Sequence, residues 1–203
     1  MKIICVGRNY AAHAKELNNA VEEEPVIFLK PETALIPGKF PFFYPSFSND
    51  VQFEVEIVIK INRVGKNIAE KFAYRYYDEV SLGIDFTARD LQSKLKAKGL
   101  PWERAKAFDG SAPVGDFMDL KEAGSINDLH FTLLVNNEVR QKGHSANMIF
   151  SVDKIIAFVS GFVTLKKGDL IFTGTPEGVG PIKPGDKLTA LLGNNQLLSL
   201  DVK

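Results

Sequence analysis

The stretch Phe53-Glu54-Val55-Glu56-Ile57-Val58-Ile59 decides the fold of this sequence, because it predicts a buried β-strand that carries two carboxylates. Its apolar, mainly β-branched residues continue to Ile61, which is typical of a strand inside a sheet. Alternate side chains of a strand share a face, so Glu54 and Glu56 are expected side by side, with Cβ atoms about 7 Å apart. Two such carboxylates repel unless a cation lies between them, and Mg²⁺ accepts oxygen ligands of this kind.

A third carboxylate ends the next predicted strand. In Gly83-Ile84-Asp85-Phe86-Thr87, Asp85 follows apolar residues and precedes a helix expected to begin near Ala88. Ends of strands are common places for sites, so Asp85 is a candidate third ligand. These residues alone leave an alternative open, in which Glu54 and Glu56 lie on a solvent-exposed face and Asp85 caps the helix.

Outside these two segments, sheet dominates the prediction. Short β-branched or aromatic runs predict strands at residues 3–6, 26–29, 53–61, 80–86, 131–135, 170–173, 187–192 and 197–202. Helices are predicted at residues 10–18, 69–77, 88–98 and 152–159. The alternation of strand and helix is too irregular for a doubly wound sheet, so we expect a mixed, β-rich α/β fold in which residues 1–203 form one domain.

A histidine and a glutamate lie three residues apart on the first predicted helix. His13 and Glu16 share a helix face at this spacing. A carboxylate that accepts from one imidazole nitrogen orients the ring, and the other nitrogen is then free to deprotonate a water molecule. The pair predicts a hydrolytic dyad, and the alternative is a solvated surface pair.

The segment TGTPEGVGP, residues 173–181, predicts a rigid loop whose backbone can approach a ligand closely. It is not a nucleotide-binding motif, because the spacing of Gly174, Gly178 and Gly180 fits neither the P-loop nor the Rossmann fingerprint. The alternative is a hairpin-like turn without a ligand.

Composition narrows the class of partner. Lys plus Arg and Asp plus Glu both number 25, so the chain has no net positive charge to attract nucleic acid or an anionic membrane. A small-molecule partner is therefore expected. The single cysteine, Cys5, excludes an intramolecular disulfide and fits a reducing compartment. With neither a targeting segment nor a membrane-spanning run in this sequence, we expect a cytoplasmic protein.

Taken together, the ordered segments resemble the fumarylacetoacetate hydrolase superfamily, in particular its small single-domain acylpyruvate hydrolase and oxaloacetate decarboxylase branch. The resemblance covers nearly the whole chain. Its carriers are VGRNYAAHAKEL (6–17), EPVIFLKP (24–31), FEVEIVI (53–59), GIDFTARDLQ (83–92), KGLPWERAKAFDGSAPVG (98–115), MIFSV (148–152) and GDLIFTGTPEGVGP (168–181).

The resemblance implies a role for each matching residue. Glu54, Glu56 and Asp85 match the family's metal ligands, with Mg²⁺ expected and Mn²⁺ or Ca²⁺ as alternatives. The matching catalytic positions are His13 and Glu16, on a lid segment, and Lys106. The matching substrate-binding positions are Arg8, Arg89, Gln92 and Thr175. The fold implied is a mixed β-roll with a few peripheral helices, and the assembly implied is a homodimer.

The activity implied is Mg²⁺-dependent cleavage of a carbon-carbon bond in an acylpyruvate, a 2,4-dioxo acid such as acetylpyruvate or fumarylpyruvate, with oxaloacetate decarboxylation as a related reaction. One alternative is an isomerase or tautomerase of a 2-oxo or dienol diacid in aromatic catabolism. From a different class, the chain could be a non-catalytic metal- or ligand-binding module. Two departures from the family pattern, Asn136-Asn137 and Gly143-His144-Ser145, lie outside the metal motif and leave the substrate open; His144 is expected in a surface turn, with a local contact to a ligand as the alternative.

Overall fold

A computed structural model describes residues 1–16, 22–36 and 40–203, and its strands form three sheets. The strands are β1 (Ile3–Gly7), β2 (Val26–Lys30), β3 (Val51–Phe53), β4 (Val55–Ile61), β5 (Tyr77–Ile84), β6 (Thr87–Ala88), β7 (Met118–Asp119), β8 (His130–Val135), β9 (Glu138–His144), β10 (Leu170–Phe172), β11 (Gly180–Pro181), β12 (Lys187–Leu192) and β13 (Asn195–Asp201). Their orders are β2-β1-β10-β4-β5-β7, β11-β3-β6 and β13-β12-β8-β9. The β-rich mixed α/β fold predicted from the sequence is confirmed.

Helices are short and lie between the strands. They are α1 (Ala11–Glu16), α2 (Arg89–Ala97), α3 (Glu103–Lys106), α4 (Leu120–Ala123) and α5 (Val152–Phe162), with single 3-10 segments at Glu32–Ala34, Glu70–Tyr76 and Ser145–Asn147. Among the residues described, no helix has the length and apolar character that crossing a membrane requires. Residues 17 and 18 of the predicted first helix lie outside the described residues.

The strand predicted at residues 53–61 is interrupted at Glu54, and this break builds the site. Before Glu54, β3 pairs with β6 and β11; after it, β4 pairs with β5 and β10. The chain therefore passes from one sheet to another at this residue. Between β5 and β6 the chain passes between the same two sheets again, at Asp85. The Glu54 carbonyl accepts the Asp85 N–H at 2.8 Å, and this hydrogen bond joins the two crossings.

Strand β4 is buried on both faces, as its unbroken apolar run predicts. Ile57 and Ile59 point into the main core, whereas Val58 packs into a smaller cluster with Cys5 and Phe172. By strand alternation, Glu56 shares the face of Val58. The carboxylates therefore lie on the side of the smaller cluster.

Two predictions need correction. The segment predicted as an α-helix at residues 69–77 is a 3-10 helix, whose three residues per turn align Glu70, Ala73 and Tyr76 and bury Ala73. Strand β9 went unpredicted because it is an edge strand with exposed polar residues and no apolar alternation.

Candidate active site

Three buried carboxylates converge where the sheets meet. Glu54 lies at the break between β3 and β4, Glu56 on β4 opposite Gly83, and Asp85 directly after β5. One oxygen from each lies within 4.8 Å of the others, and the three residues are 6%, 2% and 1% exposed. The structure therefore brings together the three residues that the sequence pattern singled out, and it excludes the alternative of a solvent-exposed strand face.

Cations surround two of these carboxylates. Lys106, on α3, donates to Glu54 Oε2 at 2.8 Å and to Asp85 Oδ2 at 2.7 Å. Arg89, the first residue of α2, donates to Glu54 Oε1. Helix α2 begins directly after β6, so its first residue, Arg89, lies beside the carboxylates, and Lys106 reaches them from the end of the short helix α3.

Lys30 is a second buried lysine that the sequence analysis did not select. Its ammonium donates to the Ser111 carbonyl at 2.8 Å and the Ser111 hydroxyl at 3.0 Å, and it lies 2.7 Å from Asp85 Oδ1. With Asp85 it forms an ion pair without a directed hydrogen bond, since Oδ1 accepts none from the described part of the chain. A lysine at the end of the otherwise apolar strand Val26–Lys30 was the signal that could have revealed it.

Glu56 has a different environment from the other two carboxylates. Among the described residues no Lys, Arg or His forms an ion pair with it, and Oε2 accepts only the Gly174 N–H, at 2.7 Å. Burial raises the pKa of Glu56 well above its ordinary value, and the neighbouring Asp85 and Glu54 raise it further. The deficit of positive charge in the cluster is therefore at Glu56.

The pKa values of Glu54 and Lys106 move in the directions expected of a buried ion pair. Burial alone raises the pKa of Glu54, but Lys106 and Arg89 outweigh burial and hold this pKa well below its ordinary range. Burial lowers the pKa of Lys106, but Asp85 and Glu54 reverse the shift and raise it. Glu54 is therefore ionised and Lys106 protonated at neutral pH.

The predicted dyad forms at the edge of the same site. His13 Nδ1 lies 3.0 Å from Glu16 Oε2, with His13 buried and Glu16 partly exposed. The glycine-rich loop holds this glutamate, because the Gly178 N–H donates to Glu16 Oε1 at 3.1 Å. The loop predicted to approach a ligand therefore supports two site carboxylates through its backbone: Glu56 through Gly174, and Glu16 through Gly178.

One cleft is lined by every residue of the predicted site except Glu16. Glu16 lies outside the lining and contacts the Nδ1 atom of His13. The lining of the cleft is Val6, Gly7, Arg8, His13, Phe28, Glu54, Glu56, Asp85, Arg89, Gln92, Lys96, Trp102, Lys106 and Thr175. Among the four positions expected to contact substrate, Gln92 accepts from Arg89 at 2.6 Å, and the Thr175 hydroxyl donates to the Val55 carbonyl at 2.8 Å. Arg8 pairs with Glu22 at the cleft.

The Fumarylacetoacetate (FAA) hydrolase C-terminal family model matches residues 2–200. The chain belongs to the fumarylacetoacetate hydrolase family. It is 46% identical over 188 residues to the mitochondrial oxaloacetate tautomerase FAHD1 of Mus musculus, covering 93% of this chain and 85% of that protein. It is 43% identical over 197 residues to the oxaloacetate tautomerase YcgM of Escherichia coli (strain K12), covering 97% and 90%.

A solved structure of the same family shares this fold. The fumarylpyruvate hydrolase from Pseudomonas aeruginosa, in complex with Mn²⁺ and pyruvate, superimposes with a TM-score of 0.92 at 36% identity, covering 100% of this chain and 89% of that one. The fumarylacetoacetate hydrolase resemblance and the fold that it implied are thus confirmed, and the chain is an enzyme of this family.

The carboxylate cluster fits a divalent cation on structural grounds. Glu56 forms no ion pair with a Lys, Arg or His of the described residues, whereas Glu54 and Asp85 each do. Burial of a carboxylate beside two others without a cation of its own is unfavourable, and a bound divalent cation would compensate it. Oxygen-only ligands select hard ions such as Mg²⁺ or Mn²⁺ over ions that prefer nitrogen or sulfur.

Sequence reasoning missed further residues of the site. In addition to Lys30, they include Lys96 and Trp102, which line the cleft. They also include Thr87, whose hydroxyl donates to Glu54 Oε1 at 3.0 Å. Gln141, from the unpredicted strand β9, donates to Thr175 Oγ1 at 2.9 Å. Lys96 lies one turn after Gln92 on α2, so a helical projection from Arg89 and Gln92 could have found it.

Proposed function

We propose that this protein is a divalent-cation-dependent enzyme that acts on a short 2-oxo dicarboxylic acid, with keto–enol tautomerisation of oxaloacetate as its principal reaction. One observation carries the proposal: a single cleft is lined by a cluster of three carboxylates, a protonated lysine and the histidine of the dyad. The oxaloacetate tautomerases at 43–46% identity favour this reaction over others of the family.

The charges of the cleft favour a substrate with two carboxylates. Beyond the carboxylate cluster, the lining carries Arg8, Arg89 and Lys96. Burial lowers the pKa of Lys96, and the nearby Arg8 and Arg89 lower it further, so these cations lie close together. These three side chains offer several N–H donors to a second, distal carboxylate of the substrate, beside the pairs that Arg8 forms with Glu22 and Arg89 with Glu54.

Glu54, Glu56 and Asp85 would hold the cation, which we assign as Mg²⁺ with Mn²⁺ as the alternative. When bound there, a Mg²⁺ ion supplies Lewis-acid polarisation of the 2-oxo acid. Glu54 and Asp85, which also have Arg89 and Lys30 as partners, would then no longer require Lys106 for neutralisation. The Lys106 ammonium is thereby free to donate to a substrate oxygen on which negative charge develops.

His13 is the proposed proton carrier. With the proton on Nδ1 directed at Glu16, Nε2 is the free base. It takes a proton from the carbon between the 2-oxo group and the distal carboxylate, while Lys106 stabilises the charge on the 2-oxo oxygen. Return of the proton to that oxygen completes the tautomerisation.

Hydrolysis of acylpyruvates is the second candidate, and the dyad is the observation that favours it. Glu16 is fixed by both His13 and the Gly178 N–H, a geometry suited to a base that activates water. The structural relative named fumarylpyruvate hydrolase supports it as well. In this reaction His13 removes a proton from water, and the same lysine stabilises the departing carbanion.

Product analysis separates the candidates. The purified protein with Mg²⁺ is incubated with oxaloacetate, acetylpyruvate and fumarylpyruvate, and products are followed by NMR. Tautomerisation conserves mass, hydrolysis gives two acids, and decarboxylation gives CO₂. Fast enol–keto exchange of oxaloacetate without fragments supports the principal proposal, whereas rapid release of pyruvate from acylpyruvates and slow exchange would overturn it.

A variant of the dyad tests the role of His13. We expect His13→Ala to lower kcat by about 10²–10⁴-fold, the usual contribution of a general base, while Mg²⁺ affinity stays unchanged. Lys15→Ala is the matched control, because Lys15 is an exposed residue on the same helix. Full activity of His13→Ala would remove the histidine from the mechanism.

A further inference from the structure

Two of the three histidines of the chain lie together, away from the cleft. His130 begins β8 and His144 ends β9, and the two residues face each other directly in the antiparallel pairing. Their rings are stacked, with centroids 3.9 Å apart and planes 17° from parallel. Directly opposed side chains of an antiparallel pair are the closest neighbours that a sheet offers.

An aspartate completes the group. Asp128 lies in the bend two residues before His130, and Asp128 Oδ1 lies 2.7 Å from His144 Nε2 and 4.0 Å from His130 Nε2. One ligand atom from each of the three side chains lies within 4.8 Å of the others. The face of His130 is opposite the one that buries Phe131 and Leu133, so the group is open to solvent.

The backbone beneath these side chains is fixed. The Leu129 N–H donates to the Ser145 hydroxyl at 2.8 Å, and the Ser145 N–H donates to the Leu129 carbonyl at 2.9 Å. The Asp128 N–H donates to the Ser125 carbonyl at 2.9 Å. The three side chains therefore need only rotate to bring their ligand atoms together.

We propose that Asp128, His130 and His144 form a binding site for a borderline transition-metal ion such as Zn²⁺, separate from the carboxylate site. Zn²⁺ binds imidazole nitrogen and carboxylate oxygen at about 2.0–2.2 Å, so tetrahedral ligand atoms lie about 3.4 Å apart. The three ligand atoms already lie within 4.8 Å of one another, and their adjustment to this spacing, which widens the 2.7 Å between Asp128 and His144, is within the rotameric freedom of side chains at the surface. Three protein ligands leave a fourth position open to water.

The two sites differ in ion preference because they differ in donor atoms. Glu54, Glu56 and Asp85 offer oxygen alone and suit Mg²⁺, whereas two imidazoles suit Zn²⁺, Co²⁺ or Ni²⁺. Saturation with Mg²⁺ therefore occupies the carboxylate site and leaves the histidine site free. This difference allows each to be measured in the presence of the other.

The test is calorimetric titration of the Mg²⁺-saturated protein with Zn²⁺, at a pH above the ordinary imidazole pKa of about 6.5. We expect one Zn²⁺ per chain. In the double variant His130→Ala/His144→Ala we expect its affinity to fall by at least about 10-fold, the smallest loss usual for disturbing a metal site. Lys142→Ala, an exposed residue of β9 two positions before His144, is the matched control and should bind as wild type does.

NMR identifies the ligands independently. With three histidines in the chain, Zn²⁺ should shift the ring resonances of His130 and His144 and leave those of His13 unchanged. Absence of the Zn²⁺ event in wild type, its survival in the double variant, or a shift of His13 instead would each overturn the proposal.

Discussion

Replacing Lys106 by Met removes the buried cation that lies between Glu54 and Asp85. Lys106 is 3% exposed and donates to both carboxylates, at 2.8 Å and 2.7 Å. Removal of one partner of a buried ion pair costs about 3–5 kcal/mol when it leaves the other charge uncompensated. Arg89 still contacts Glu54 and Lys30 still contacts Asp85 in this variant, so the lower limit of about 3 kcal/mol applies. For a chain of this length, about 1 kcal/mol corresponds to about 2–4 °C in Tm, so the metal-free variant should melt about 6–12 °C below wild type.

Mg²⁺ should reverse much of this loss. A ligand at 100 times its Kd stabilises the folded state by about 2.7 kcal/mol, and the stabilisation grows as Kd falls. In Lys106→Met the ion no longer competes with the Lys106 ammonium, which contacts both Glu54 and Asp85, so the variant should bind Mg²⁺ more tightly than wild type. Its Tm should therefore rise more on addition of Mg²⁺, although it should lack activity.

Thermal unfolding with and without Mg²⁺, combined with calorimetry, measures both effects. Lys94→Met is the matched control, because Lys94 is exposed on α2 and its loss should change stability by no more than about 0.5 kcal/mol. The reasoning is refuted if Lys106→Met is as stable as wild type without metal, or if Mg²⁺ raises both Tm values equally.

Two other perturbations give distinct signatures. Burial and the neighbouring carboxylates raise the pKa of Glu56 above its ordinary 4.5, so Glu56 loses its proton at a lower pH in the unfolded chain than in the folded protein. The free energy of unfolding of the metal-free protein should therefore fall as pH rises from about 4.5 through the raised pKa. Urea unfolding at several pH values should show this fall, and either Mg²⁺ or Glu56→Gln should remove it. The same fall in the variant would show that another group causes the pH dependence. Gly174 has φ +98°, and the Cβ introduced by Gly174→Ala would lie only 2.7 Å from Asn9 Cβ. This variant should therefore be less stable than wild type by more than about 1 kcal/mol. It should also bind Mg²⁺ more weakly, because the Gly174 N–H that donates to Glu56 is displaced. Wild-type stability of this variant would show that the loop adapts.

The sequence contained enough to predict the carboxylate cluster but not its surroundings. Strand alternation predicted Glu54 and Glu56 on one side of a strand, and their carboxylates do lie close together. Glu54, however, lies at a break between two strands that belong to different sheets. Alternation carries no information about where a chain leaves one sheet for another, because that depends on pairing with distant strands such as β6 and β10.

Residues that reach the site from polar or distant segments could not be predicted in the same way. Gln141 lies on an edge strand whose other side chains are mostly exposed, so no periodic pattern marked it. Lys30 donates to Ser111 across 81 positions of sequence, and the long-range packing that brings them together leaves no local pattern. The roles of Lys106 and Thr175 came from family resemblance, and their position at the cluster came only with the fold.

The most direct measurement is a crystal structure of the protein grown with Mn²⁺, in which anomalous scattering locates the ion. We expect one Mn²⁺ bound by oxygens of Glu54, Glu56 and Asp85 together, with Lys106 turned away from at least one of them. An ion held by none or only one of these carboxylates, or a cluster in which Lys106 stays in place and Mn²⁺ is excluded, would contradict the proposed site.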